Sequence, residues 1–253
     1  MLDYLLGNGH SLAADRKLAD EVERAVPDVR TVVQLGRMFV RSAITQLVRT
    51  GVRQFLKYGS DVATFGGVHA MARAADPHCR VLYVDTDPIA VTHGRLTLAD
   101  DERAAVILTA PLDPDAVAAH PETVLDPDQP VGLLLVDVLR FLPEPWDPPA
   151  VLARFADRLA PGSHLVLAHL SSQPRAEEAA VLTKIMAGST EPVRARTRTE
   201  IACLFTGFEL VGPGVSNAGE WIGERELTPA EQAAATQFYV GVGCKPLPGK
   251  RRP

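Results

Sequence analysis

Cysteine is scarce in this 253-residue chain: Cys79, Cys203 and Cys244 lie far apart and are odd in number. That excludes a disulfide framework and a cysteine-built zinc site, and leaves buried thiols as the expectation. Long hydrophobic runs are missing too, since none approaches the roughly 20 residues that a membrane helix needs. The opening residues Met1 to Asn8 have neither a basic region nor a long apolar stretch, so a soluble, cytoplasmic protein with no membrane partner is expected. Positive charge is not in excess: 26 Lys+Arg stand against 31 Asp+Glu, a formal charge of −5. Such a surface is not built mainly for nucleic acid. Seven histidines are scattered without any H-x-x-x-H or H-x-x-E-H pair, so no metal is expected. The nucleophile elbow, the P-loop and the kinase motifs are absent, as is any repeat, which removes the hydrolase, phosphotransferase and solenoid classes.

What is present is a full-sized core, 46% of residues being hydrophobic, and an alternation of segment types. Leu12, Leu18, Val22 and Val26 fall near helical spacing, Pro27-Asp28 breaks the pattern, and Val32 to Val48 resumes it. Two helices therefore precede the first strand. Five short apolar runs follow, Gln54–Tyr58, Arg80–Val84, Ala105–Thr109, Val131–Val136 and His164–Ala168, each succeeded by helix-like sequence. The intervening Gly67–Ala75, Pro88–Leu98, Asp113–His120 and Pro148–Leu159 suit crossover helices. The result expected is an α/β fold with a doubly wound, mostly parallel sheet. Further helices at Pro174–Ala187 and Thr197–Phe205 lead to two last strands, Gly207–Val211 and Gln237–Val242, the final one antiparallel. Five alternating units and a closing pair make seven strands, a Rossmann-like sheet of methyltransferase type rather than a plain dinucleotide-binding one.

In an open parallel sheet, ligands bind at the carboxyl ends of the strands near the reversal of strand order. The loop Tyr58-Gly59-Ser60-Asp61 to Gly67 either cradles a nucleotide through its glycines and the following helix end, or serves only as a turn. Asp85 ends the second strand, 26 residues beyond Gly59, where a carboxylate can accept both hydroxyls of a ribose; Asp87-Pro88 reads as the cap of the next helix. Asp137 and Arg140 follow the fourth strand. They either serve as base and electrostatic group in the crevice or form an internal ion pair. His169 follows the fifth strand and is either a crevice base or a structural residue.

Asp3-Tyr-Leu-Leu-Gly7, Ala13-Ala-Asp-Arg16, Gly51-Val-Arg-Gln-Phe55, Val84-Asp-x-Asp-Pro88, Pro161-Gly-Ser163, Phe208-Glu-Leu210 and Pro213-Gly214 occur in this order along the chain. Together they make the sequence resemble, from Asp3 to Pro246, the actinobacterial S-adenosylmethionine-dependent methyltransferase family once catalogued as a domain of unknown function. The resemblance implies a class I methyltransferase fold and an adenosylmethionine cofactor. Residues 1–50 would form an N-terminal helical lid, 51–244 the α/β domain, and 245–253 a disordered tail. Tyr4, Gly7, Gly59, Ser60, Asp85 and Thr86 would bind the cofactor, with Asp137, Arg140 and His169 as catalytic groups. Several positions depart from the family pattern: Lys57 replaces an acid, Asp61 a glycine, Gly67 an asparagine, Ala70 a glutamate, Ala110 the acid expected to accept the adenine amino group, and Arg140 the crevice-facing histidine.

The functional expectation is methyl transfer to a small molecule in specialised metabolism. The clustered departures raise an alternative, the same fold turned to a cyclisation, rearrangement or elimination without adenosylmethionine. A third is a non-enzymatic binding module that keeps only the scaffold. The N-terminal helices and the Trp221 region would supply apolar surface for a homodimer.

Overall fold

The computed structural model describes residues 2–7, 9, 12–59, 67–110, 112–142, 146–187, 193–223 and 225–249. Ser60, Asp61 and the tail beyond residue 249 lie outside them. Eight strands form one sheet: β1 Gln54–Tyr58, β2 Arg80–Asp85, β3 Ala104–Leu108, β4 Val131–Val136, β5 His164–Leu170, β6 Glu209–Leu210, β7 Ser216–Asn217 and β8 Phe238–Cys244. Their order is β3-β2-β1-β4-β5-β8-β6, with β7 pairing separately on β8. The first five are parallel, and β8 runs antiparallel to β5, β6 and β7. The sheet is thus the expected one with a two-residue strand added, and strand order reverses between β1 and β4.

The apolar runs become strands because both of their faces are covered. Phe55, Val81, Tyr83, Leu134, Val166 and Val240 face one core, packed by α3 (Val29–Arg49), α4 (Val68–Ala75) and α10 (Pro229–Ala235). Leu56, Leu82, Leu133, Leu135, Leu165 and Leu167 face the other, packed by α6 (Pro114–Ala119), α7 (Pro148–Arg158) and α9 (Arg198–Cys203). Full burial of each such side chain stabilises the fold by about 1.5–3 kcal/mol. Helix α5 (Pro88–Thr97) starts as the sequence predicts: Asp87 accepts the amide of Ile89 at 2.8 Å and Pro88 fills the first position. Thr197 with Glu200 and Thr228 with Glu231 build reciprocal capping boxes at α9 and α10.

A third core lies over the carboxyl ends of β4 and β5. Leu5 of α1 (Leu2–Leu5), Ala19 and Val22 of α2 (Ala13–Ala25), and Leu182 and Met186 of α8 (Ala176–Met186) pack with Leu170, and Phe141 joins them. Arg30 ties this cap together by donating to the carbonyls of Tyr4 and Leu5, both at 3.2 Å, and to Glu23.

Several local expectations change. Among the described residues a further single helical turn, Leu2–Leu5, precedes the two expected N-terminal helices, held by burial of Leu5 in the cap. Trp221 is 4% exposed and meets the Phe39 ring edge-on, so it supplies core rather than surface. Exposed apolar side chains stand instead at Ile89, Leu96 and Leu108. Cys79 is buried but Cys203 is exposed. Lys245, placed in the tail by the sequence, pairs through its backbone with Gly162 and Ser163. Among the described residues no helix is long and apolar enough to cross a membrane.

Candidate active site

The crevice opens where β1 and β4 part at their carboxyl ends. Gly59 turns the chain there with φ +80°, a conformation that favours glycine. Its N–H donates to the Val84 carbonyl at 2.8 Å, which ties the turn to the end of β2. Asp85 follows directly. Its Oδ1 accepts the amides of Thr86 at 2.7 Å and Asp87 at 3.0 Å, so the carboxylate is held against its own loop at the strand end. Gly59, Asp85 and Thr86 therefore lie together at the carboxyl ends of β1 and β2.

Lys57 lies on the face of β1 that Phe55 shares, and its side chain bends to the strand end. It is only 6% exposed, and its ammonium donates to the carbonyls of Tyr58 at 2.7 Å and Gly59 at 3.1 Å. Ala110 is exposed beyond β3, so the crevice has no acid at that position.

On the β4 side, Asp137 adopts φ +57°, uncommon for a residue with a side chain, and its N–H is held by the Ala168 carbonyl at 2.9 Å. Arg140 approaches its carboxylate at 3.7 Å and stacks over Phe141. The two residues form the ion pair that is one of the two sequence alternatives. Arg140 Nε is buried without a hydrogen-bond partner among the described residues.

His169 does not face the crevice. Strand β5 runs two residues further than the sequence pattern suggests, which turns His169 inward to complete burial. Its Nδ1 meets the Leu170 carbonyl at 2.9 Å and its Nε2 meets the Arg196 guanidinium. Burial pushes its pKa down to about 3. Both nitrogens are engaged, so the role of base expected for it does not fit. Sequence reading missed Arg196, itself buried and donating also to the Leu139 carbonyl at 3.1 Å. Its only signal would have been a buried arginine in an otherwise polar stretch, which composition does not reveal.

Tyr4 belongs to the cap: its hydroxyl donates to Asp20 at 3.1 Å and its ring lies under Arg30. Gly7 closes the following turn through its N–H to the Tyr4 carbonyl at 2.9 Å. No cluster of metal-ligating side chains occurs among the described residues.

A doubly wound sheet of this order, closed by an antiparallel strand and carrying a glycine turn after β1 with an acid after β2, defines a class I methyltransferase fold. The sequence profile of the S-adenosyl methyltransferase family matches residues 1–246, and the chain belongs to that family. It is similar to a candidate methyltransferase from Thermobifida fusca, at 32% identity and a TM-score of 0.88 over 97% of this chain and 93% of that one. A DUF574 family protein from Streptomyces avermitilis gives 28% identity and a TM-score of 0.87, over 97% and 95% of the two chains. In fold alone it is similar to the N-methyltransferase NodS from Bradyrhizobium japonicum, solved with S-adenosyl-L-homocysteine, at 18% identity and a TM-score of 0.50 over 83% and 88%. No curated protein sequence matches the chain significantly.

Proposed function

We propose that this chain transfers a methyl group from adenosylmethionine to a small-molecule acceptor in specialised metabolism. The observation that carries the reading is Asp85, held at the end of β2 beside the Gly59 turn, where a carboxylate can accept ribose hydroxyls. The residues present fit the cofactor at this end. At the other end Lys57 opposes an ammonium group but suits a carboxylate, and the amino-acid tail of adenosylmethionine carries both.

When bound, adenosylmethionine supplies a methyl group on a sulfonium centre. The chain's own contribution is orientation: the Gly59 turn admits close approach of the ligand, and the crevice aligns the acceptor. Asp137 is the group placed to take a proton from the acceptor, with Arg140 fixing its position. We further propose a cytoplasmic protein without a nucleic-acid or membrane partner.

A second reading, a cyclisation, rearrangement or elimination without adenosylmethionine, is favoured by the buried Lys57 ammonium in the crevice. Incubation with methyl-labelled adenosylmethionine and an extract of low-molecular-weight metabolites separates the two. Label recovered in a small molecule, and lost in Asp137→Asn, supports methyl transfer; label recovered only in macromolecules, or nowhere, contradicts it.

A further inference from the structure

Burying an ammonium is costly unless opposite charge or several acceptors surround it. Lys57 has three donors, and among the described residues its ammonium meets only two carbonyl oxygens and no carboxylate. Those carbonyls belong to Tyr58 and Gly59, so the charge is aimed at the strand end rather than into the core.

The space beside Gly59 shows what else lies there. A Cβ built on Gly59 would sit 3.6 Å from Lys57 Nζ and 3.9 Å from Val138 Cγ2, ordinary contact distances. A ligand atom at that position would therefore touch both the Lys57 ammonium and Val138 of the loop after β4. In that loop Arg140 pairs with Asp137 at 3.7 Å, and its buried Nε has no hydrogen-bond partner among the described residues. Across the Gly59 turn, at the end of β2, stands Asp85. The crevice thus offers an acid to hydroxyls at one end and a positive charge at the other.

Resting on the cofactor reading above, we propose that Lys57 is the receptor for a carboxylate on the ligand seated at Gly59. A nucleoside thioether would be held by its ribose at Asp85 and by the carboxylate of its amino-acid tail at Lys57, with the tail's ammonium turned away. Opposite charges meet and like charges separate, which selects one of the three staggered orientations about the tail's Cα–Cβ bond. No covalent change is involved.

Calorimetric titration of the full chain with four thioethers tests this. They are S-adenosylhomocysteine, its deaminated analogue with the carboxylate only, its decarboxylated analogue with the ammonium only, and 5′-methylthioadenosine with neither. The two carboxylate-bearing compounds should bind at least about tenfold more tightly than the other two, the yield of one charge-assisted contact. Lys57→Gln should erase that gap, and added salt should narrow it in the wild type. The wild-type series decides the question by itself if the variant does not fold. Tighter binding of the decarboxylated analogue, or equal binding of all four, overturns the role of Lys57 and leaves the cofactor reading standing. Failure of all four to bind overturns both.

Discussion

Arg196 donates from Nη1 to His169 Nε2 while His169 Nδ1 donates to the Leu170 carbonyl at 2.9 Å, which makes the ring a neutral Nδ1–H tautomer. This arrangement stabilises the uncharged imidazole inside the sheet and gives the protein a pH dependence. The folded ring titrates near 3, against 6.5 when unfolded, so between these values the unfolded state binds the extra proton. The contribution of His169 is therefore complete above pH 6.5 and is lost as the pH falls toward 3, at about 1.4 kcal/mol per pH unit. Urea unfolding from neutral pH downward should show a slope steeper by nearly one proton in the wild type than in His169→Gln. Equal slopes would show that the ring titrates alike in both states.

Arg196→Met tests the same pair from the other side. It strands His169 Nε2 and the Leu139 carbonyl, two buried acceptors, and should lower unfolding stability by about 3 kcal/mol. Arg196→Lys should recover part of the loss. A change below about 0.5 kcal/mol, typical of a surface site, would contradict the burial described.

Asp85→Asn separates holding the loop from holding a ligand. Asparagine keeps the oxygen that accepts from Thr86 and Asp87 but loses the charge, so the fold should be unaffected. Affinity for S-adenosylhomocysteine should fall by about one to two factors of ten. Unchanged affinity in calorimetry would remove Asp85 from the ligand site.

The position of Gly132 is set by packing. A Cβ there would lie 2.7 Å from Phe55 Cδ1 and 3.3 Å from Leu47 Cδ1, at the second residue of β4 and against buried neighbours. Gly132→Ala should cost about 1–3 kcal/mol, read as a lower denaturant midpoint at constant slope.

The thiols should differ in reactivity. Cys203 is exposed, whereas Cys79 is fully buried and burial pushes its thiol pKa up to about 11. A disulfide reagent at mildly alkaline pH should label Cys203 in the native protein and Cys79 only after denaturant is added. Rapid native labelling of Cys79 would contradict the packing of the first core.

The sheet was largely legible because its strands are short runs with apolar residues on both faces, a pattern set by burial itself. Gln54–Tyr58 and Val131–Val136 have the expected ends. The caps were legible for the same local reason, Asp87 needing only its own turn to find its partner. What remained hidden depends on distant contacts. The two extra residues of β5 owe their strand form to pairing with Tyr239 and Phe238, and that pairing turns His169 inward. The hydrogen bonds of Lys57 could not be read from its replacing an acid, because they depend on the carbonyls exposed by the turn at Gly59. Asp137 and Arg140 were legible as a pair because they stand three residues apart after β4, and the structure shows the ion pair that was one of the two alternatives.

Whether this crevice, with Lys57 in it, receives the cofactor is read from calorimetric titration of the wild-type protein with S-adenosylhomocysteine. A saturable, micromolar, one-to-one isotherm is expected. No heat of binding at millimolar ligand would contradict it and turn the search to reactions that the fold performs without adenosylmethionine.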